Sequence, residues 1–437
     1  MSNATDPRDT HGTDKGGNKG GLRAVDAPDL IPVGKLPPLG VVPKRMHAYV
    51  IRPERFGEPT KSFVNEPMPT PEPGPGQVLI QVMAAGVNYN GVWAGLGKPV
   101  NVLAGHGKDH HIAGSDASGV VWKVGPGVNG VKVGDEIVVH CNQACGQCHH
   151  CQSSEPMACR NQKIWGYETS DGSFAQYALV QAQQVLPKPS HLTWEEAASY
   201  GLTYFTAYRM LVDRARVKPG EDVLIWGAAG GLGVFAVQLC KVLGANAIAM
   251  VSSEERGKLC MELGAKGYIN RKDVPDFTFK EGETEIQKKA RFEGMKALGK
   301  KIWEIVGEKK GPDVVFEHVG QQTFPASVFL ANRFGRIVIC GATTGFDLTF
   351  DVRHLWMHQK SIIGSHFADA GEAHAANKLL MQGRVRPVMT RLFSYDEIPL
   401  SHQLMFQNEL YGTVSCLVGS PKPGLKNLQE TLAAISG

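Results

Sequence analysis

The chain has 437 residues, with 46 basic against 42 acidic side chains, a net charge of +4 and a hydrophobic fraction of 42%. That length exceeds what one small core accommodates and predicts two domains. The mild, interspersed charge argues against a nucleic-acid partner, and without a run of about 18 apolar residues no membrane-spanning helix is expected.

Residues 1–45 are polar and rich in glycine and proline; the opening stretch lacks the apolar core of a signal peptide, and the segment is expected to form a flexible tail. From 46 to 198, short β-branched runs such as "QVLIQVMAAGVNYN" and "GDEIVVH" alternate with turn signals such as "PGPGQ", predicting a small β-barrel-like domain. Within it, at about 141–160, Cys145, Cys148, Cys151 and Cys159 are spaced C-x2-C-x2-C-x7-C. Four soft thiolates in one short loop suit tetrahedral Zn2+ in a closed, structural site, with Cys141 as a spare thiol. Nine cysteines used in this way fit a reducing cytoplasm better than a disulfide framework.

From 199 to 369 strands alternate with helices ("DVLIWG", "AIAMVSS", "PDVVFEHVG", "GRIVICG"), the pattern of a doubly wound parallel sheet. Gly227, Gly230, Gly231 and Gly233 fall between the first strand and its helix, where they permit a sharp turn and close approach of a pyrophosphate to the helix N-terminus. Ser252 and Ser253 end the second strand, Arg256 follows, and Arg271 lies after the third. Hydroxyls and guanidinium groups suit a 2′-phosphate, so NADPH is favoured, although Glu254 and Glu255 keep NADH in play. A charged, helix-prone stretch at about 272–310 reads as an insertion with its own role. Residues 370–437 contain a helix stopped by Gly383 and a strand, "YGTVSCLVG", expected to return to the first domain.

Beyond residue 45 the chain resembles the medium-chain dehydrogenase/reductase superfamily, whose fold joins a GroES-like catalytic domain to a Rossmann domain. The cysteine loop is similar to the structural zinc lobe of its alcohol dehydrogenases. The places of their catalytic zinc ligands hold other residues: Asn88 stands for the first cysteine, Ser115 and Asp116 for a His-Glu pair. More closely, "GVNYNGVWAGLG", "HIAGSDASGVVW", "IWGYETSDGSFAQY" and "LWMHQKSIIGSHFAD" resemble the crotonyl-CoA carboxylase/reductase family. The resemblance implies that NADPH reduces an α,β-unsaturated acyl-CoA and that the resulting enolate captures CO2. By the same resemblance Asn90 and His366 hold CO2, Tyr167 and Glu168 shield and order the pocket, Arg353 contacts coenzyme A, and the protein is a homo-oligomer, a tetramer or dimer. Three features depart from the family pattern: the cysteine loop, Val319 in place of proline after His318, and His354 in place of tyrosine. They leave a non-carboxylating enoyl-CoA reductase, or more remotely a non-enzymatic NADPH-binding protein, as alternatives.

Overall fold

The structure, a computed structural model, describes residues 27–153 and 155–436, so residues 1–26 of the expected tail lie outside it. The remainder of that segment is packed, which corrects the boundary at 45. Lys44 and Arg45 N–H groups donate to the carbonyls of Pro28 and Asp29 at 3.0 and 2.7 Å. Trp122 Nε1 donates to Val41 O at 2.8 Å, and Gln176 Nε2 to Ile31 O at 3.0 Å. Prolines 28, 32, 37, 38 and 43 have no N–H to satisfy, so a strap held through its carbonyls suits this composition.

In the first domain the long strand Gln77–Gly86 is buried along nearly its whole length because it pairs on both edges. Ala117–Val124 lies antiparallel on one side; Tyr177–Gln181 and Thr413–Leu417 share the other. The sheet has seven strands, and a smaller sheet is built on Arg45–Ile51. Aromatic and branched residues, among them Phe63, Val121, Ile137, Trp165, Phe174 and Phe393, fill the core.

The second domain is a six-stranded parallel sheet ordered Gly267–Asn270, Asn246–Val251, Asp222–Ile225, Val314–Glu317, Arg336–Ile339, Ser361–Gly364. Alternate side chains of its strands enter separate cores, Val223 and Ile225 with Phe316 on one face, Leu224 with Val315 and Ile337 on the other. Burial on both faces explains the unbroken apolar runs in the sequence. Helix Gly233–Leu243 covers the first face, while Glu285–Val306 and Phe324–Leu330 cover the second. Strands Asp222–Ile225 and Val314–Glu317 are neighbours whose helices depart to opposite faces, so a crevice opens at their carboxyl ends.

The stretch at 272–310 is the crossover between third and fourth strands. A capping box of Thr284 and Gln287 starts its helix, Gly307 ends it in the left-handed region, and Met295, Leu298 and Ile302 anchor it to the sheet. The expectation that residues from 370 onward return to the first domain also needs correction. Helix Ala370–Met381 buries Ala373, Ala376 and Leu380 in the nucleotide-domain core, and Tyr200 and Tyr204 donate to Asn377 Oδ1 and Ala376 O at 2.8 and 2.9 Å. The return begins at Met389, with the strand pair Met389–Phe393 and Thr413–Leu417.

Candidate active site and cofactor cleft

The glycine loop sits at the switch point. Gly227 has φ +56°, and a Cβ there would lie 3.0 Å from the His318 ring; at Gly233 it would lie 2.4 Å from Gly227 O. His318 Nε2 donates to Trp226 O at 2.9 Å, tying the ends of the two central strands together, and burial lowers its pKa. At the end of the second strand Arg256 Nη1 donates to Ser252 Oγ at 2.8 Å, and the Ser253 hydroxyl caps the next helix by accepting from Arg256 N. Val251 and Asn270 are register partners, so the exposed Arg271 opens its turn on the strand beside Ser252. The four glycines and the four polar residues therefore share the carboxyl edge of the sheet. Tyr411, which no local pattern marks, joins them: its ring lies 5.2 Å from the Arg256 guanidinium carbon, and its hydroxyl donates to Glu255 at 3.0 Å.

Val319 follows His318 into the crevice, and its N–H donates to buried Glu317 Oε1 at 2.7 Å. Gly320 N, Thr323 Oγ1 and Ser327 Oγ donate to the same carboxylate. A proline at 319 would have no N–H to contribute, so the departure from the family pattern adds a donor to this anchor.

Asn90 lies in helix Tyr89–Leu96, buried, and its Nδ2 has no hydrogen-bond partner among the described residues. Glu168 Oε2 accepts from Ile164 N at 2.8 Å, which turns the loop so that Tyr167 packs against the domain core. Burial, and then Glu168, push the Tyr167 hydroxyl up to about 12. His366 follows the last strand of the parallel sheet. The residue is exposed, yet enough protein surrounds its ring to lower its pKa by desolvation, with Glu168 pulling the other way and Arg209 adding to the fall. The structure thus brings His366 of one domain within electrostatic reach of Glu168 of the other.

The loop carrying Tyr167 and Glu168 is held from beneath by two histidines that no motif or spacing marks. His111 Nε2 lies 3.3 Å from Gly166 O, and His106 Nε2 lies 3.1 Å from His111 Nδ1. Lys108 N donates to His106 Nδ1 at 3.3 Å. A carbonyl can only accept, so His111 carries its proton on Nε2 and accepts at Nδ1, and His106 must donate from Nε2. Both rings are neutral in this ladder. Burial lowers the pKa of each, that of His111 to about 3.

Where the alcohol dehydrogenases hold a catalytic zinc, Asp116 is buried and committed to protein donors: Asn88 Nδ2 at 2.8 Å and Leu202 N at 2.5 Å. Burial pushes its pKa up to about 8. Ser115 lies beside it, its hydroxyl buried and without a partner among the described residues. Among the described residues, one group of three or more His, Cys, Asp or Glu could share a metal, and it is the cysteine quartet, its Sγ atoms all within 4.8 Å of one another. Cys148 and Cys145 lie 3.5 and 3.9 Å from Cys151. A zinc–sulfur bond of about 2.3 Å gives a tetrahedral edge of about 3.8 Å, so the donor set fits. Cys141 is buried apart from this group. Arg353 is exposed and already paired with Asp351 through two parallel hydrogen bonds of 3.0 and 2.7 Å. Its neighbour His354 packs edge-on against Phe329 at 5.0 Å.

The GroES-like domain model of alcohol dehydrogenases matches residues 74–190, and the zinc-binding dehydrogenase model matches 231–382. The crotonyl-CoA carboxylase/reductase of Cereibacter sphaeroides is 50% identical over 94% of this chain and 97% of its own length. A solved crotonyl-CoA carboxylase/reductase superposes with a TM-score of 0.89 at 51% identity, covering 93% of this chain and 96% of that one. The 2-octenoyl-CoA carboxylase reductase CinF, solved with NADP and 2-octenoyl-CoA, gives 0.82 at 36% identity over 91% and 93%. With its two-domain architecture, its nucleotide crevice and these near full-length relatives, the chain belongs to the crotonyl-CoA carboxylase/reductase family of the medium-chain dehydrogenase/reductase superfamily.

Proposed function

We propose that the protein reduces an α,β-unsaturated acyl-CoA with NADPH and carboxylates the α-carbon of the resulting enolate, the conversion of crotonyl-CoA to ethylmalonyl-CoA being the type reaction. The observation that supports carboxylation over plain reduction is the buried Asn90 amide with no partner among the described residues. An unpaired buried donor costs about 1–3 kcal/mol, a cost that is recovered when a ligand oxygen accepts from it. Conjugation with the thioester makes the β-carbon electrophilic, and bound NADPH supplies the hydride. The Asn90 amide and His366 would hold the CO2 oxygens as carboxylate charge develops. His366, its pKa lowered, offers a dipole without a net charge, which suits CO2 over the bicarbonate anion. Glu168 would orient a water or the imidazole, and Tyr167 would close the wall against bulk water.

The glycine loop would receive the pyrophosphate, and Ser252, Ser253, Arg256 and Arg271 the 2′-phosphate. The cysteine quartet would hold a structural zinc, with no open position for substrate. Arg353 would reach a coenzyme A phosphate by exchanging Asp351 for it. Of the lysines of Glu285–Val306, Lys288, Lys296 and Lys301 pair with acidic residues one turn away, whereas Lys289 and Lys300 have no carboxylate within 4.0 Å among the described residues. Assembly into a homo-oligomer is supported by the edge strand Ser361–Gly364, which pairs with no further strand among the described residues and whose surroundings expose Trp356, Met357 and Ile362, although Arg214 Nε caps its end by donating to Gly364 O at 3.0 Å. Nine cysteines, none of them in a disulfide among the described residues, suit a cytoplasmic setting.

The test is mass analysis of the product made from crotonyl-CoA and NADPH with and without bicarbonate. Carboxylated acyl-CoA is expected from the native enzyme, and Asn90→Ala is expected to shift it toward butyryl-CoA while NADPH is still consumed. Butyryl-CoA as the main native product at saturating bicarbonate would leave the plain reductase. No NADPH oxidation at all would leave a binding protein.

A further inference from the structure

Arg256 is surrounded by two candidate ion-pair partners and pairs with neither. Glu254 and Glu255 precede it in the same helical turn, yet among the described residues no carboxylate lies within 4.0 Å of its guanidinium. Each glutamate is occupied elsewhere: Tyr268 donates to Glu254 at 2.6 Å, and Tyr411 donates to Glu255 at 3.0 Å. The two tyrosines are not equivalent. The ring of Tyr268 packs on the helix at Gly257, where a Cβ would come within 2.4 Å of it, whereas Tyr411 turns its ring toward the guanidinium at 5.2 Å. Tyr411 is itself fixed to the dinucleotide loop, because the next residue, Gly412, donates its N–H to Ala229 O at 2.7 Å. A Cβ on Gly231 would lie 3.2 Å from Gly412 O, so the two segments touch.

We propose that Tyr411 is a specificity-determining residue for the phosphorylated dinucleotide, holding Arg256 beneath its ring and withdrawing Glu255 so that the guanidinium charge stays available to a 2′-phosphate. The inference rests on the reading of Arg256 as the 2′-phosphate partner. Its physical basis is competition. An arginine neutralised by an adjacent carboxylate must give up that partner to bind phosphate, and the exchange lowers affinity for NADPH while leaving NADH untouched. The cation–aromatic contact adds orientation, since a guanidinium stacked on a ring has fewer geometries to lose on binding. Tyr411 belongs to the segment that returns to the first domain, so cofactor choice depends on a residue outside the nucleotide-binding domain.

The test is fluorescence titration of the full chain with NADPH and with NADH, without acyl-CoA. Tyr411→Phe keeps the ring and frees Glu255. It is expected to weaken NADPH on the order of five-fold, the scale of an exposed ion pair, and to leave NADH unchanged. Adding Glu255→Gln to Tyr411→Phe is expected to restore NADPH binding, a rescue that a purely structural role for the hydroxyl would not show. Tyr411→Leu, which also removes the ring, is expected to weaken NADPH about two- to three-fold further. Equal loss for both cofactors, an unchanged NADPH affinity in Tyr411→Phe, or failure of the rescue would each overturn the proposal. Arg256→Ala separates the two layers. If it weakens NADPH selectively while Tyr411→Phe does not, the Tyr411 proposal alone falls; if it does not discriminate, both fall.

Discussion

Asp116→Asn tests what replaced the zinc ligands. The Asp116 carboxyl is buried, accepts from Asn88 Nδ2 and Leu202 N, and has its pKa pushed from 3.8 to about 8 by burial. The native state therefore keeps this proton where the unfolded chain has already released it. Below about pH 4 the group is protonated in both states and imposes no penalty; as pH rises toward 8 stability is withdrawn; above 8 the loss is complete. Each pH unit in that window is worth about 1.4 kcal/mol, so the whole crossing withdraws at most about 6 kcal/mol. Asparagine is neutral throughout. Its Oδ1 can accept from Leu202 N, and its Nδ2 can donate to Asn88 once that amide turns over. Urea unfolding of native protein and Asp116→Asn at half-unit steps from pH 5 to 8.5 is the assay. The variant is expected to gain on native protein steadily from pH 5 toward pH 8. A difference that stays flat with pH, with the variant less stable throughout, would show that the carboxylate is ionised in the native state and would refute the reasoning.

Three further outcomes are expected. Cys148→Ser should lower zinc content and thermal midpoint together, with activity falling only as folded protein falls; a stable, zinc-free variant deficient in turnover alone would contradict a structural site. His111→Leu leaves Gly166 O and His106 Nε2 without their ladder partner, so unfolding free energy should drop by about 1–3 kcal/mol, and His111→Gln, which keeps a donor, should drop less; equal losses by urea titration would show that ring bulk matters and not the ladder. Gly227→Ala places a side chain in the left-handed region, at about 1–2 kcal/mol, and within 3.0 Å of His318, so NADPH affinity should fall while secondary structure by circular dichroism is retained.

Features set by local spacing are legible in the residues alone. Cysteines at C-x2-C-x2-C-x7-C fall within reach of one ion because a short loop cannot separate them. The glycines between "DVLIW" and its helix mark a turn that side chains would block, and the apolar runs of the parallel strands announce burial on both faces. Motifs such as "GVNYN" and "GSHF" carried the family resemblance. Contacts between distant segments set the rest. The strap at 27–44 is held by Trp122 and Gln176, too far along the chain for any window to connect. Helix Ala370–Met381 looks as ready to serve either domain, and only the pocket made by Tyr200 and Tyr204 assigns it. His106 and His111 read as ordinary loop residues until Gly166 O dictates their tautomers. Val319 reads as a lost proline until Glu317 is seen accepting from its N–H. Tyr411 meets Arg256 across more than one hundred and fifty positions of sequence. Periodicity and spacing report a residue's near neighbours along the chain, whereas charge, tautomer and cofactor choice are set by atoms that folding brings from elsewhere.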